Sequence, residues 1–378
     1  MRVRGAVCYA VGSTWSIEDL ELDEPRQGEV LVRVEASGLC HSDDHVLTGD
    51  LAFALPMIGG HEGAGVVVRT GPGVDRVAVG DHVCTAFIPG CGLCDYCSRG
   101  MQYLCDRGAG MDQGLMLDST PRFHLPDGTG IGALCRLGTF ADHVVIREEQ
   151  CIKIPESVPF DLACLVSCGV ATGWGSAVNA AGVRPGQVVM VVGIGGVGAN
   201  VLQGAAAAGA AHVIAVDPNE WKHALALQFG ATETYRSIAD AMPLVARLTN
   251  GQGVDACIVT VGRVDGDIIG EAFATVGKAG TCVVTSVGQN TPGLAISPQD
   301  LTNLAKSLQG VMFGNCNPTR DIPHLINLYQ QGLLKLDELV TRRYRLGELN
   351  DAYADMHAGK NIRGVLVHEH LTTAGAPS

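Results

Sequence analysis

An α/β fold in two units is what this sequence predicts: a small β-rich, barrel-like domain and a doubly wound parallel sheet. Three observations carry that prediction. The chain has 378 residues, too many for one ordinary domain on a prior of about 150 residues each. Its opening stretch is a succession of short strands parted by Gly- and Pro-rich turns, the pattern of a small barrel. Further on, the unbroken apolar run Val188–Val192 leads directly into Gly193-Ile194-Gly195-Gly196-Val197-Gly198 and an Ala-rich helix.

Composition narrows the function classes. Apolar residues make up 47% of the chain, enough for real cores, while 50 glycines and only 5% aromatics suit an α/β enzyme with many tight turns. A net charge of −13 with no basic tract excludes nucleic acid and anionic membrane as natural partners. Met1–Val11 reads as a first strand and not as a secretory leader. The apolar stretch Ala199–Val216 is broken by Gln203, Gly204, Gly209 and His212, so no membrane span is expected. Fourteen cysteines without a leader point to metal ligation and buried thiols in a reducing cytoplasm, not to a disulfide framework.

In chain order, Val30–Val34 and Gly65–Arg69 are the clearest early strands, and Val79–Val83 is a turn into another. Residues 106–138 are Gly-rich and irregular; a loop this long is expected to border the substrate entrance. Thr139–Ile146 returns to strand pattern, and Pro155, Pro159 and Asp161 lead into a helix carrying Cys164 and Cys168. Helix Ala199–Ala208, strand His212–Val216, strand Asp255–Val261, helix Ile268–Val276 and strand Thr281–Val287 continue the alternation of a parallel sheet. Leu301–Leu308 reads as helix, as do Ile322–Gln330 and Glu348–Ala358. Gly364–Val367 reads as the last strand, and the small polar tail Leu371–Ser378 as loose.

Three clusters carry chemistry. Cys40, His41, Ser42, Asp43, Asp44 and His45 put a thiol, two imidazoles, a hydroxyl and two carboxylates side by side, and Gly60-His61-Glu62-Gly63-Ala64-Gly65 adds an imidazole and a carboxylate. Two soft ligands for Zn²⁺ can come from these stretches; a catalytic site needs a third from elsewhere. Sequence alone does not choose it, because Cys164 and Cys168 are both eligible. Cys91-x2-Cys94-x2-Cys97-x7-Cys105 places four thiols within fifteen residues at metal-clip spacing, the pattern of a closed structural zinc lobe. Unrelated buried thiols or an iron–sulfur site are the alternatives, and the spacing departs from the ferredoxin runs. In the glycine-rich turn the backbone can approach a pyrophosphate at a helix N-terminus. Asp217, nineteen positions past Gly198, can bond both ribose hydroxyls and repel a 2′-phosphate, which favours NAD over NADP.

Taken together, Gly38–His45, Gly60–Gly65, the four-Cys lobe, Ser167-Cys168-Gly169-Val170-Ala171-Thr172-Gly173 and Gly193–Gly198 with Asp217 resemble the zinc-dependent medium-chain alcohol dehydrogenases. Within that family, Gly60–Val68 and Thr172–Val178 are similar to the bacterial nitrosodimethylaniline-dependent subgroup. The resemblance implies a GroES-like catalytic domain over residues 1–172, with a zinc lobe at about 90–106. It implies a Rossmann NAD-binding domain over 173–312 and a return to the catalytic domain over 313–378. It implies a catalytic zinc on Cys40, His61 and Cys168, with Asp43 orienting His61 and Glu62 behind the metal, and a structural zinc on Cys91, Cys94, Cys97 and Cys105. Thr172 would lie near the nicotinamide, Lys222 near the adenosine ribose and Arg363 near the pyrophosphate.

The implied reaction moves a hydride between a primary alcohol, or its aldehyde, and NAD. Ser42 takes the alcohol proton and passes it through the cofactor ribose to His45 at the solvent edge. The residue after the first zinc Cys is often Arg in the family. His41 stands there instead, so cofactor affinity is expected to weaken as pH rises through about 6–7. Two other readings stay open. One is a thiol-dependent formaldehyde dehydrogenase, for which Arg107, Arg122 or Arg136 would be the cation at the pocket mouth. The other is a non-catalytic nucleotide-binding protein on the same fold. A homodimer is expected, with a tetramer the alternative, and NAD either exchanges or stays bound while a second acceptor reoxidises it.

Overall fold

Two sheet systems flank one long helical stretch. The structure, a computed structural model, describes residues 1–288 and 293–370; the tail read as loose, Leu371–Ser378, lies outside the described residues. Strands Arg2–Cys8, Ser16–Leu22, Phe123–His124, Gly130–Ala133 and Met57–Ile58 close into a barrel. A second, seven-stranded sheet is built on Glu29–Gly38, which pairs antiparallel with Gly63–Thr70, His143–Arg147 and Arg363–Val367. The last of these brings the end of the described chain back beside its beginning.

The other system is a six-stranded, all-parallel sheet. Its order is Glu233–Tyr235, His212–Val216, Val188–Val192, Val254–Val259, Val276–Val284 and Ser307–Gly310. Val188–Val192 is buried at every position. Four valines and a methionine explain this, since β-branched side chains suit a strand covered on both faces. The doubly wound α/β arrangement read from the sequence is therefore present.

Between the systems runs the helical stretch Phe160–Ala180. By length and apolarity it could cross a membrane, but 83% of its most apolar window is buried inside the protein. It reads as a core helix, packed with Val189, Val191 and Ile322 in the largest hydrophobic cluster. Its regular turns are interrupted by wider π turns at Val166–Val170 and Ser176–Ala180. Such turns reposition side chains and recur at functional sites; the first carries Cys168.

Three local expectations need correction. Residues 106–138 are not one irregular loop, because Phe123–His124 and Gly130–Ala133 complete the barrel, with short 3₁₀ turns before them. The expected helix Leu301–Leu308 is split into helix Pro298–Asn303 and strand Ser307–Gly310, which pairs with Val276–Val284. The strand expected from Thr139 begins at His143 instead.

Candidate active site

The site is assembled from the ends of regular elements. Where strand Glu29–Gly38 stops, Cys40 turns the chain into helix His41–Thr48 and caps it, its Sγ accepting the Ser42 N–H at 3.5 Å. Asp43 in the first turn of that helix is fully buried. Its Oδ1 accepts the Gly60 N–H at 2.9 Å and lies 3.1 Å from His61 Nδ1. One carboxylate thus pins two chain segments together and leaves Nε2 as the free imidazole nitrogen. Gly60 is in the left-handed region (φ 91°), and a Cβ there would overlap the Phe140 backbone nitrogen. Only glycine passes at that point.

Cys168 arrives from the first π turn. Cys40, His61, Glu62 and Cys168 each offer a ligand atom, and the four atoms lie within 4.8 Å of one another. Cys164 is not in this group; its Sγ donates instead to the Asp161 carbonyl oxygen at 3.4 Å. The thiol of Cys40 is held well below the usual range by a hydrogen bond from the Cys168 thiol, against burial and with His61 and Arg363 helping. Glu62 sits beside the two thiols and the imidazole. Its Oε1 is buried without a hydrogen-bond partner. Its Oε2 pairs with the Arg363 guanidinium. Burial pushes this carboxyl up to about 7, against the pull of Arg363. Two sulfurs and an imidazole make a donor set that suits Zn²⁺ with one position left open, and the unpartnered Glu62 oxygen lies beside it.

The four-Cys lobe fits a second ion. Cys91 Sγ and Cys97 Sγ are 3.8 Å apart and Cys94 Sγ and Cys105 Sγ 4.0 Å, far beyond the S–S bond of about 2.05 Å. Four sulfurs about 2.3 Å from one tetrahedral ion would lie roughly 3.8 Å from each other. Although burial opposes it, the N–H groups of Leu93 and Cys94 hold the Cys91 thiol at about 6. Among the described residues the lobe's own apolar cluster is Ile88 and these cysteines, with Phe87 against it, so its hydrophobic support is small.

Beside the first donor set lies a cavity of about 560 Å³. Cys40, His41, Ser42 and His45 line one part of its wall; Gly193, Gly195, Gly196 and Val197, with Asp217, Lys222 and Arg363, line another. Gly193 is left-handed (φ 94°), and a Cβ on Gly198 would overlap the Gly193 carbonyl oxygen. The turn closes tightly because both are glycine. Gly198 and Thr172 do not line the cavity; Thr172 Oγ1 sits 4.0 Å from Cys168 Sγ. Asp217 is buried, its Oδ2 accepting the Ile194 N–H at 2.8 Å and Lys222 Nζ at 3.1 Å. Arg363 lies under the turn, where a Cβ on Gly196 would overlap its Cδ. It therefore sits between the turn and Glu62.

One expectation about this wall changes. His45 is not at the solvent edge but 3% exposed, with Nδ1 3.1 Å from Asp50 Oδ2. His41 is tucked against Gly262, where a Cβ would meet its Nε2 at 2.6 Å. Burial holds its imidazole below the ordinary value. Ser42 Oγ lies 3.6 Å from Cys40 Sγ, at the donor set.

The arginines considered for a thiol-adduct substrate are occupied. Arg122 is buried against Glu29 and Asp118. Arg136 donates to the carbonyls of Leu115, Arg107 and Ala109, and Arg107 pairs with Glu149. None of the three lines the cavity. Sequence reasoning did not single out His357. It lines the cavity with Nε2 2.8 Å from Asp44 Oδ2. It also missed Asp50 and Arg263. The one available signal was a carboxylate just past the Gly49 helix stop, five residues after His45.

Comparison with known proteins agrees with this geometry. The alcohol dehydrogenase GroES-like domain model matches residues 26–156, and the zinc-binding dehydrogenase model matches residues 196–331. The chain is 48% identical to the NDMA-dependent alcohol dehydrogenase of Amycolatopsis methanolica, over 97% of this chain and 99% of that protein. It is 34% identical to the S-(hydroxymethyl)glutathione dehydrogenase of Paracoccus denitrificans, over 97% of this chain and all of that one. The crystal structure of benzyl alcohol dehydrogenase from Acinetobacter calcoaceticus superimposes with a TM-score of 0.90 at 30% identity, covering 98% of this chain and all of that one.

Proposed function

This chain belongs to the zinc-dependent medium-chain alcohol dehydrogenases, and we propose that it transfers a hydride between a primary alcohol, or its aldehyde, and NAD. The observation that carries this reading is the convergence of Cys40, His61 and Cys168 beside a cavity shared by Ser42, His45 and the glycine-rich turn. Cys40, His61 and Cys168 would hold the catalytic zinc, with Asp43 keeping the imidazole in place. The four-Cys lobe would hold a structural zinc. When bound, zinc makes the alcohol proton acidic near neutral pH and NAD accepts the hydride. Ser42, next to Cys40, is placed to receive the alcohol proton, and His45 to take it onward. Residues 1–172 and 313–378 form the catalytic unit in this reading, and 173–312 the dinucleotide-binding unit. The wholly thiol cysteine complement suits a cytoplasmic setting.

A screen of primary alcohols tests the reading, run on metal-analysed protein with and without added NAD⁺. Turnover with added NAD⁺ supports an exchanging cofactor; turnover with nitrosodimethylaniline and no free NAD⁺ supports a retained one. Failure with every alcohol under both regimes removes the reading. Activity confined to formaldehyde plus a thiol would favour the glutathione-type alternative, for which no free cation faces the cavity among Arg107, Arg122 and Arg136.

Two expected results follow from single features. Asp217→Ser should shift the NAD/NADP preference in kcat/KM by roughly 10²-fold toward NADP, because it removes the carboxylate and frees the buried Lys222 for a 2′-phosphate. An unchanged ratio would take specificity away from Asp217. Among the described residues strand Ser307–Gly310 has one neighbour, at the edge of the parallel sheet, so its outer edge offers a place for a second copy to pair. Sedimentation should give a dimer, and a monomer at all concentrations would end that assignment.

A further inference from the structure

We propose that Asp50 and Arg263 are positioning residues for the proton-transfer end of this site. Asp50 fixes the His45 imidazole, and Arg263 makes that arrangement depend on the cleft being closed. The proposal rests on the alcohol dehydrogenase reading above.

His45 is in the last turn of helix His41–Thr48, which Gly49 ends in the left-handed conformation (φ 75°). A Cβ on Gly49 would meet Val11 Cγ1 at 2.7 Å, so the turn is tight and brings Asp50 back under the helix. There the Asp50 side chain is only 2% exposed. Its Oδ2 lies 3.1 Å from His45 Nδ1 and accepts from Thr48 Oγ1 at 2.9 Å, while Oδ1 accepts from an Arg263 NH2 at 2.9 Å. A buried carboxylate is tolerated when donors and a cation surround it in this way.

An ionised carboxylate can only accept. The hydrogen between Asp50 and His45 therefore sits on Nδ1, and Nε2 keeps its lone pair. His45 lines the cavity, so it presents there the one tautomer able to accept a proton. Without the carboxylate, the tautomer with Nε2–H competes and cannot act. Once His45 has accepted, Asp50 also stabilises the imidazolium beside it.

Arg263 enters from the other side of the cleft. It follows strand Val254–Val259 of the parallel sheet, immediately after Thr260, Val261 and Gly262, which line the cavity. Its bond to Asp50 joins residues 213 positions apart, so it exists only while the sheet and the helix are together. Its side chain is 56% exposed, which makes the link screened and breakable.

The test is a double-mutant cycle on the full-length, zinc-loaded enzyme, measuring alcohol turnover with NAD⁺ or nitrosodimethylaniline as acceptor. Asp50→Asn should lower kcat by roughly 10- to 100-fold and leave NADH affinity unchanged, and added imidazole should restore part of the rate. In a His45→Gln background, Asp50→Asn should cost nothing further, because it acts only through His45. Arg263→Ala should lower kcat roughly threefold at low salt, and high salt should bring the wild type to the same level. Losses that multiply in the double variant, or a silent His45→Gln beside a damaging Asp50→Asn, overturn the proposal. Thermal unfolding monitors each variant, and the same cycle with Asp50→Ser serves if the amide does not fold. Absence of alcohol turnover in the wild type would instead remove the functional reading itself.

Discussion

Replacing Cys168 by Ala should reduce alcohol turnover by about 10³-fold or more while the protein stays folded. Zinc content should fall from about two ions per chain to about one. Cys168 is a buried thiol on a π turn inside a well-packed helical stretch. Removing one sulfur leaves that packing almost intact, since Ala is smaller and apolar, but it takes away one of the four donor atoms gathered there. Cys40→Ser should behave alike. Cys94→Ala should give the opposite pattern, because the lobe has almost no core of its own. We expect a lower unfolding temperature and early proteolysis around residues 91–105, with activity per folded molecule partly retained. Metal analysis, circular dichroism and turnover on the same preparations separate the two outcomes. Equal loss of folding and activity in all three variants would contradict two distinct zinc sites.

Arg363→Met should be the most damaging substitution for stability. Arg363 is 5% exposed and is paired with Glu62, which is fully buried. Removing one member of a buried pair leaves the other uncompensated, at a cost of about 3–5 kcal/mol. For a chain of this size that is a fall in unfolding temperature of about 5 °C. The guanidinium also lies beneath Gly196 in the cofactor turn, so NADH affinity should weaken in the same variant. Glu62→Gln combined with Arg363→Met should recover much of the stability, because no buried charge is then left unpaired. Thermal unfolding of the two single variants and the double variant, all loaded with zinc, reads this directly. Simple addition of the two losses would mean that the pair is not the source of the effect.

How far the site was legible depends on how its residues are spaced. The four-Cys lobe is confined to fifteen residues, so covalent connection alone brings its sulfurs near each other. Gly193–Gly198 is equally local: strand, turn and helix follow one another, and Gly193 and Gly198 each meet nearby backbone. Cys168 was another matter. Cys164 and Cys168 are four residues apart, and a regular helix would put both thiols on one face. The π turn at Val166–Val170 breaks that regularity and sends only Cys168 to Cys40. Strands Phe123–His124 and Gly130–Ala133 are too short to show alternation, which is why residues 106–138 read as a loop. Ser307–Gly310 lacks β-branched residues, so its place at the sheet edge left no mark on its composition.

What the sequence by itself determined was the two-unit α/β architecture, the kinds of ligand, the dinucleotide turn and the acidic residue that follows it. All of these depend on short separations along the chain, where bond geometry leaves few alternatives. Only the tertiary structure decided that a Glu62 oxygen lies within 4.8 Å of the donor atoms of Cys40, His61 and Cys168, that His45 is buried against Asp50, and that Arg263 reaches across the cleft to it. Those facts are distances through space between segments far apart in the chain. They are set by how the helix, the seven-stranded sheet and the parallel sheet pack, which no local pattern of residues records.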